Sequence, residues 1–69
     1  MSNISAIIIK KRTEKGLTQE TLSKAAGISA AQLSNIEQGK NKPTPNTLYK
    51  ISQALECDFE ELYTLLKEI

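Results

Sequence analysis

Apolar residues return along this chain every three or four positions, without the strict alternation of a half-buried strand. Ile4 and Ile8 share one face of a first segment, Leu22 and Ala26 of a second, Leu33 and Ile36 of a third. Leu48, Ile51 and Leu55 mark a fourth. Leu62 marks a fifth, with Phe59, Tyr63, Leu66 and Ile69 on an adjoining stripe. Such spacing places side chains along one side of an α-helix, so the pattern predicts five short helices turned inward on a shared core. The inward set is Ile4, Ile8, Leu17, Leu22, Ala26, Ile28, Leu33, Ile36, Leu48, Ile51, Leu55 and Leu62.

Start and stop signals agree with the periodicity. Thr18, Ser29, Thr44 and Asp58 each precede an apolar-periodic run, where a side-chain oxygen can accept from the first unpaired N–H groups. Apolar residues flank those caps at the spacing that packs one on the other: Leu17 with Leu22, Ile28 with Leu33, Pro43 with Leu48, Cys57 with Leu62. Gln32 and Glu61 stand where they could close capping boxes, and Pro45 takes the tolerated first helical position. The first helix starts near Ser2 or Asn3 and should run to about Lys15, where Gly16 supplies a left-handed stop. Expected lengths are about twelve, eight, nine, eleven and ten residues, with connections of about two to six. The fold class is all-α, as one domain over residues 1–69.

Composition narrows the chemistry. A chain of 69 residues hides only about 60% of its unfolded surface, so a partner that binds the folded state would add stability. There is no histidine and one cysteine, Cys57, which excludes a disulfide framework and removes the usual zinc ligands. Neither a nucleophile–base pair nor a phosphate-cradling glycine loop is evident, so the chain reads as no enzyme and no cofactor is expected. The run "AIII" is too short for a signal-peptide core or a membrane span, and the reduced cysteine fits a cytoplasmic protein. A net charge of +1 conceals an asymmetry. Residues 1–50 hold eight Lys/Arg against three Glu, whereas residues 51–69 hold one lysine against five carboxylates. A basic body with an acidic end suits a polyanion partner for the body.

The stretch Gln19 to Gln38 has the spacing of two helices crossing at a tight corner. Small Ser23 permits a close crossing, Gly27 accepts positive φ in the turn, and Leu22, Ala26, Ile28, Leu33 and Ile36 lock the pair. The third helix then turns outward Ser29, Ala30, Ala31, Gln32, Ser34, Asn35 and Gln38, short neutral side chains that fit a major groove about 12 Å wide. Here "GLTQETLSKAAGIS", "LSNIEQGKNKP" and "LYKISQAL" resemble the Cro/lambdoid-repressor helix-turn-helix regulators, the XRE family, over nearly the whole chain. The resemblance implies a compact five-helix, lambda-repressor-like DNA-binding domain, with helices two and three forming the helix-turn-helix and the third reading the major groove. It also implies that Gln19 binds phosphate and that Arg12 pairs with Glu37. On the residues alone, Arg12 could equally reach past the core to solvent. Family members often carry leucine where Lys11 stands, polar residues at Ile7 and Ile9, and long base-reading side chains at Ala30 and Ala31.

Roles follow from donor and acceptor chemistry. Asn35 can pair bidentately with adenine, and Gln32 can read a base or close its capping box. The methyls of Ala30 and Ala31 can pack on thymine methyl groups or simply favour the helix. Ser29, Ser34 and Gln38 are contact candidates, and Lys40 and Lys42 are backbone clamps; Lys10, Lys11 and Lys24 read as solvated. The stripe Phe59, Tyr63, Leu66 and Ile69, on a C-terminal helix of about residues 58–69, is expected to form a homodimer interface, or to fold back over Ile7 or Ile9. A dimer would bind a palindromic operator through two half-sites. The competing class is a helical protein-interaction module, an antitoxin-like partner binder.

Overall fold

The computed structural model describes residues 3–67, and the regular structure among them is helical throughout. The helices are α1 (Asn3–Glu14), α2 (Gln19–Ala26), α3 (Ala30–Glu37), α4 (Pro45–Leu55) and α5 (Phe59–Lys67). Three begin on the expected caps: Thr18 Oγ1, Ser29 Oγ and Thr44 Oγ1 accept from the N–H groups of Thr21, Gln32 and Thr47 at 3.0, 3.0 and 3.2 Å. At α5, Asp58 Oδ1 accepts from Glu60 N–H at 3.0 Å. Glu61 reaches away from that cap, its Oε1 lying 3.7 Å from Lys11 Nζ on α1.

Four helices stop in the same way. A left-handed residue follows each end, directly after α2 and α4 and two positions on after α1 and α3, and two N–H groups fold back onto the last free carbonyls. After α2 the turn is made at Gly27, with φ at 73°, and the bond from Ile28 N–H to Ser23 C=O measures 2.9 Å. After α4 it is made by Glu56, at φ 55°, the sole non-glycine residue with positive φ among those described. Two boundaries differ from expectation. α1 ends one residue early, at Glu14, and α3 releases Gln38, so the connection to α4 runs over residues 38–44.

Leu22, Leu33, Leu48, Ile51 and Leu62 are fully buried, and Ile4, Ile8, Ile36, Leu55 and Ala26 complete the core. Leu17 and Ile28 pack against its edge rather than within it, consistent with their places just before helix caps. α2 packs on α3 and α4, α5 on α4 and α1, and α1 on α3. Close crossings depend on small buried hydroxyls, each satisfied locally: Ser23 Oγ donates to Glu20 C=O at 2.9 Å and Ser52 Oγ to Tyr49 C=O at 2.7 Å. Phe59, Tyr63 and Leu66 are half-buried and lie against the core from α5. Ile69 falls outside the described residues.

Candidate nucleic-acid interface

α2 and α3 are joined by the corner Gly27–Ile28–Ser29, where the left-handed glycine and the capping serine follow one another directly. An ideal Cβ on Gly27 would meet no atom within 4 Å, so the backbone conformation, not space, calls for glycine there. With Leu33 and Ile36 buried, the opposite face of α3 stands clear of the protein. Ala30, Ala31 and Gln32 are exposed on its first turn, and Ser34 and Asn35 are half-buried on its second.

The candidate readers fall into three groups. Gln32 and Asn35 have side chains with no hydrogen-bond partner among the described residues, so their amides are open to an incoming ligand. Gln32 supplies its main-chain N–H to the cap of Ser29 while its side chain is left unused, so the capping box stays half-made. Ser34 and Gln38 are bonded to each other, Nε2 donating to Oγ at 2.8 Å, and present themselves as a unit. Ser29 Oγ is committed as the helix cap.

The loop after α3 is tied to the helix through Asn35. Its carbonyl accepts from the N–H groups of Lys40 at 3.0 Å and Asn41 at 3.3 Å. The base-reading candidate is therefore bonded to the start of the lysine loop, and Lys40 and Lys42 are exposed.

Behind this face lies a polar network. Arg12 is 17% exposed along its side chain and Glu37 3%. Arg12 Nε donates to Glu37 Oε2 at 2.8 Å and Nη2 to Oε1 at 3.2 Å, a two-pronged contact of the kind guanidinium and carboxylate planes favour. Nη1 donates to the Leu17 carbonyl at 2.8 Å, and Gln19 Nε2 donates to Glu37 Oε1 at 2.9 Å. The start of α2, the end of α1 and the end of α3 thus meet on one carboxylate. One of these links, and one buried bond between α1 and α3, had no signal in the spacing of residues. Gln19 was expected to face phosphate alone, and Ser5, whose buried Oγ donates to the Ile36 carbonyl at 2.7 Å, stands between apolar neighbours without any motif around it.

Away from the helix-turn-helix, Lys15 Nζ lies 2.9 Å from Glu56 Oε1, and its hydrogen bond and charge hold that carboxyl below its ordinary range. Burial pushes the Cys57 thiol up, so it stays protonated at neutral pH and is a poor nucleophile. No described helix is long and apolar enough to cross a membrane.

A helix-turn-helix family model matches residues 8–62, from the middle of α1 into α5. The chain belongs to the helix-turn-helix family. An uncharacterized HTH-type transcriptional regulator of Sinorhizobium fredii, y4dJ, is 47% identical over 53 residues, 77% of this chain and 69% of that protein. The ImmF control region 10 kDa protein of Bacillus phage phi105 is 39% identical over 59 residues, 86% of this chain and 66% of its own. The chain therefore spans about two thirds of the length of these relatives. Among solved structures, the restriction-modification controller protein C.AhdI of Aeromonas hydrophila superposes with a TM-score of 0.82 at 29% identity, covering 86% of this chain and 89% of the controller. The family is one of DNA-binding transcriptional regulators of repressor type, not of enzymes.

Proposed function

We propose that this helix-turn-helix protein binds a palindromic double-stranded operator as a symmetric dimer and regulates transcription there, with α3 of each copy in the major groove. The observation that carries this reading is the pair of unpartnered amides on the outer face of α3. Asn35 and Gln32 read base edges, with Asn35 set against adenine N6 and N7. Ala30 and Ala31 pack methyls where the groove offers thymine methyl groups. Ser29, Ser34 and Gln38 line the approach, and Gln19, Lys40 and Lys42 hold the backbone.

Because Ala30 and Ala31 cannot hydrogen-bond, each module reads few bases, and specificity comes from engaging two half-sites together. One module covers roughly 600–1,000 Å² on DNA, too little for tight specific binding by itself. The half-buried stripe of Phe59, Tyr63 and Leu66 on α5 supplies the dimer contact.

Selection of bound duplexes from a random pool tests the reading. The expected result is a two-fold symmetric consensus whose affinity falls steeply with salt, by about 0.9 log units per log unit of salt for each phosphate neutralised. Absence of duplex binding at low salt, together with a salt-insensitive complex with another protein, would establish the partner-binding module instead.

A further inference from the structure

Glu37 does more than partner Arg12. Its carboxylate is 3% exposed and receives three hydrogen bonds, two from Arg12 and one from Gln19. An ionised carboxylate only accepts, whereas a primary amide offers a donor at one end and an acceptor at the other. Which end of an amide faces a neighbour is decided by the surrounding network. Facing Glu37, Gln19 must turn its NH₂ group inward, because its carbonyl oxygen would meet a second acceptor. One N–H is then spent on Glu37 at 2.9 Å, and the other, on the same planar nitrogen, remains for a ligand. Were the carboxylate absent, the amide could rotate and present its oxygen to an anion, which repels it.

We infer that Glu37 is a positioning residue for Gln19. Its buried carboxylate, held by Arg12, selects the amide orientation that offers an N–H to a DNA backbone phosphate. The inference rests on the proposal above that Gln19 meets phosphate, and it adds the reason a neutral side chain at that place is a dependable donor. Glu37 is also the last residue of α3, so one side chain links the phosphate contact on α2 to the reading helix.

The probe is a duplex recovered from the random pool, remade with single phosphates replaced in turn by neutral methylphosphonate. On the unmodified duplex, Gln19→Ala is expected to weaken binding about tenfold, the low end for a hydrogen bond to a charged acceptor. It should cost nothing further on the duplex lacking the contacted phosphate. Glu37→Asp keeps a charge for Arg12 but withdraws the carboxylate by one methylene. It should reproduce the loss at that same phosphate and add nothing to Gln19→Ala. Gln19→Lys, a donor in every rotamer, should restore binding in the Glu37→Asp background.

Uniform weakening on all duplexes, or additive losses, would overturn the positioning role, since a merely structural loosening behaves that way. A second measurement needs no substitution at all. One side-chain amide proton of Gln19 should exchange with solvent more slowly than those of Gln32, whose amide has no partner; equal rates overturn the inference. Failure of the native chain to bind any duplex removes the proposed function and this role with it, whereas tight binding indifferent to Gln19→Ala removes the role alone.

Discussion

Asn35 has two attachments that pull in different directions. Its carbonyl is fully used on the N–H groups of Lys40 and Asn41, while its side chain is free. Replacing the side chain leaves the loop anchored, so Asn35→Ala isolates base reading from backbone holding. The expected cost is about 1–3 kcal/mol on the selected duplex, with relaxed preference at one base position and little change on random DNA. Parallel titrations of the two duplexes measure this, and an equal loss on both would assign Asn35 to the backbone.

Arg12 is a different kind of residue, one whose value lies in what its removal exposes. Arg12→Met leaves Glu37 charged and buried, with the Gln19 amide as its remaining side-chain donor. Stranding a buried charge costs roughly 3–5 kcal/mol, a large share of the roughly 5–15 kcal/mol that holds a small domain folded. The partial exposure of Arg12 places the expected loss at the lower end of that range. Urea denaturation with and without a compensating Glu37→Leu measures it. Most of the stability should return in the double variant, because a well-packed apolar pair can replace a buried ion pair.

The outward face of α3 was legible in the sequence because an outward helix face follows from the period of the inward one. The bonds behind that face were less legible. Spacing told that Arg12 lay on an apolar side, but not that Gln19 would share its acceptor, since the meeting of α1, α2 and α3 is a product of packing angles. Ser34 and Gln38 illustrate the same limit at the end of α3. Either could have faced a ligand alone, and their mutual bond depends on a rotamer choice that composition does not record.

At the scale of elements, helix starts were easier to read than one of the stops. Thr18, Ser29 and Thr44 cap because their short oxygens reach back to the backbone, a property of residue type. Glu56 turns left-handed at the end of α4 although its side chain carries a Cβ, and nothing in the run "ALECD" announces it. At that turn Leu55 is buried, the largely exposed Glu56 carboxylate meets Lys15, and Cys57 N–H closes onto the Ser52 carbonyl at 3.0 Å. Gly27 lacks such an alternative, since the corner must turn within three residues to bring Ser29 to the start of α3. Gly27→Ala meets no steric obstacle, so its expected cost is the backbone strain alone, roughly 1–2 kcal/mol. Thermal unfolding of the variant checks the value. A larger loss would mean that the corner is packed more tightly than the open space around its Cβ position indicates.

For the whole molecule the question is what the acidic end is for. Asp58 caps α5, and Glu60 and Glu61 stand in its first turn, where a helix N-terminus stabilises carboxylates; Glu61 also meets Lys11 of α1. The apolar side of α5 continues outward past the core. Phe59 stacks on Tyr63 with ring centres 5.4 Å apart and meets exposed Tyr49 of α4 edge-on at 5.7 Å, while Lys67 Nζ lies 5.3 Å from the centre of the Tyr63 ring. This aromatic row is half-covered by the chain's own core, and a second copy is the partner proposed to cover the rest. Leu66 stands on the same stripe and makes no polar bond among the described residues, so Leu66→Lys would set two like charges face to face across a two-fold axis while the core leucine Leu62 stays in place. Sedimentation is expected to report one 7.6 kDa chain for the variant and the proposed pair for the native protein. Affinity for a full palindrome should drop toward that for a single half-site, because the gain from effective concentration is lost. An unchanged dimer would move the interface off α5, and a monomer that still discriminated the full palindrome would show that one reading helix, alanines included, suffices for specificity.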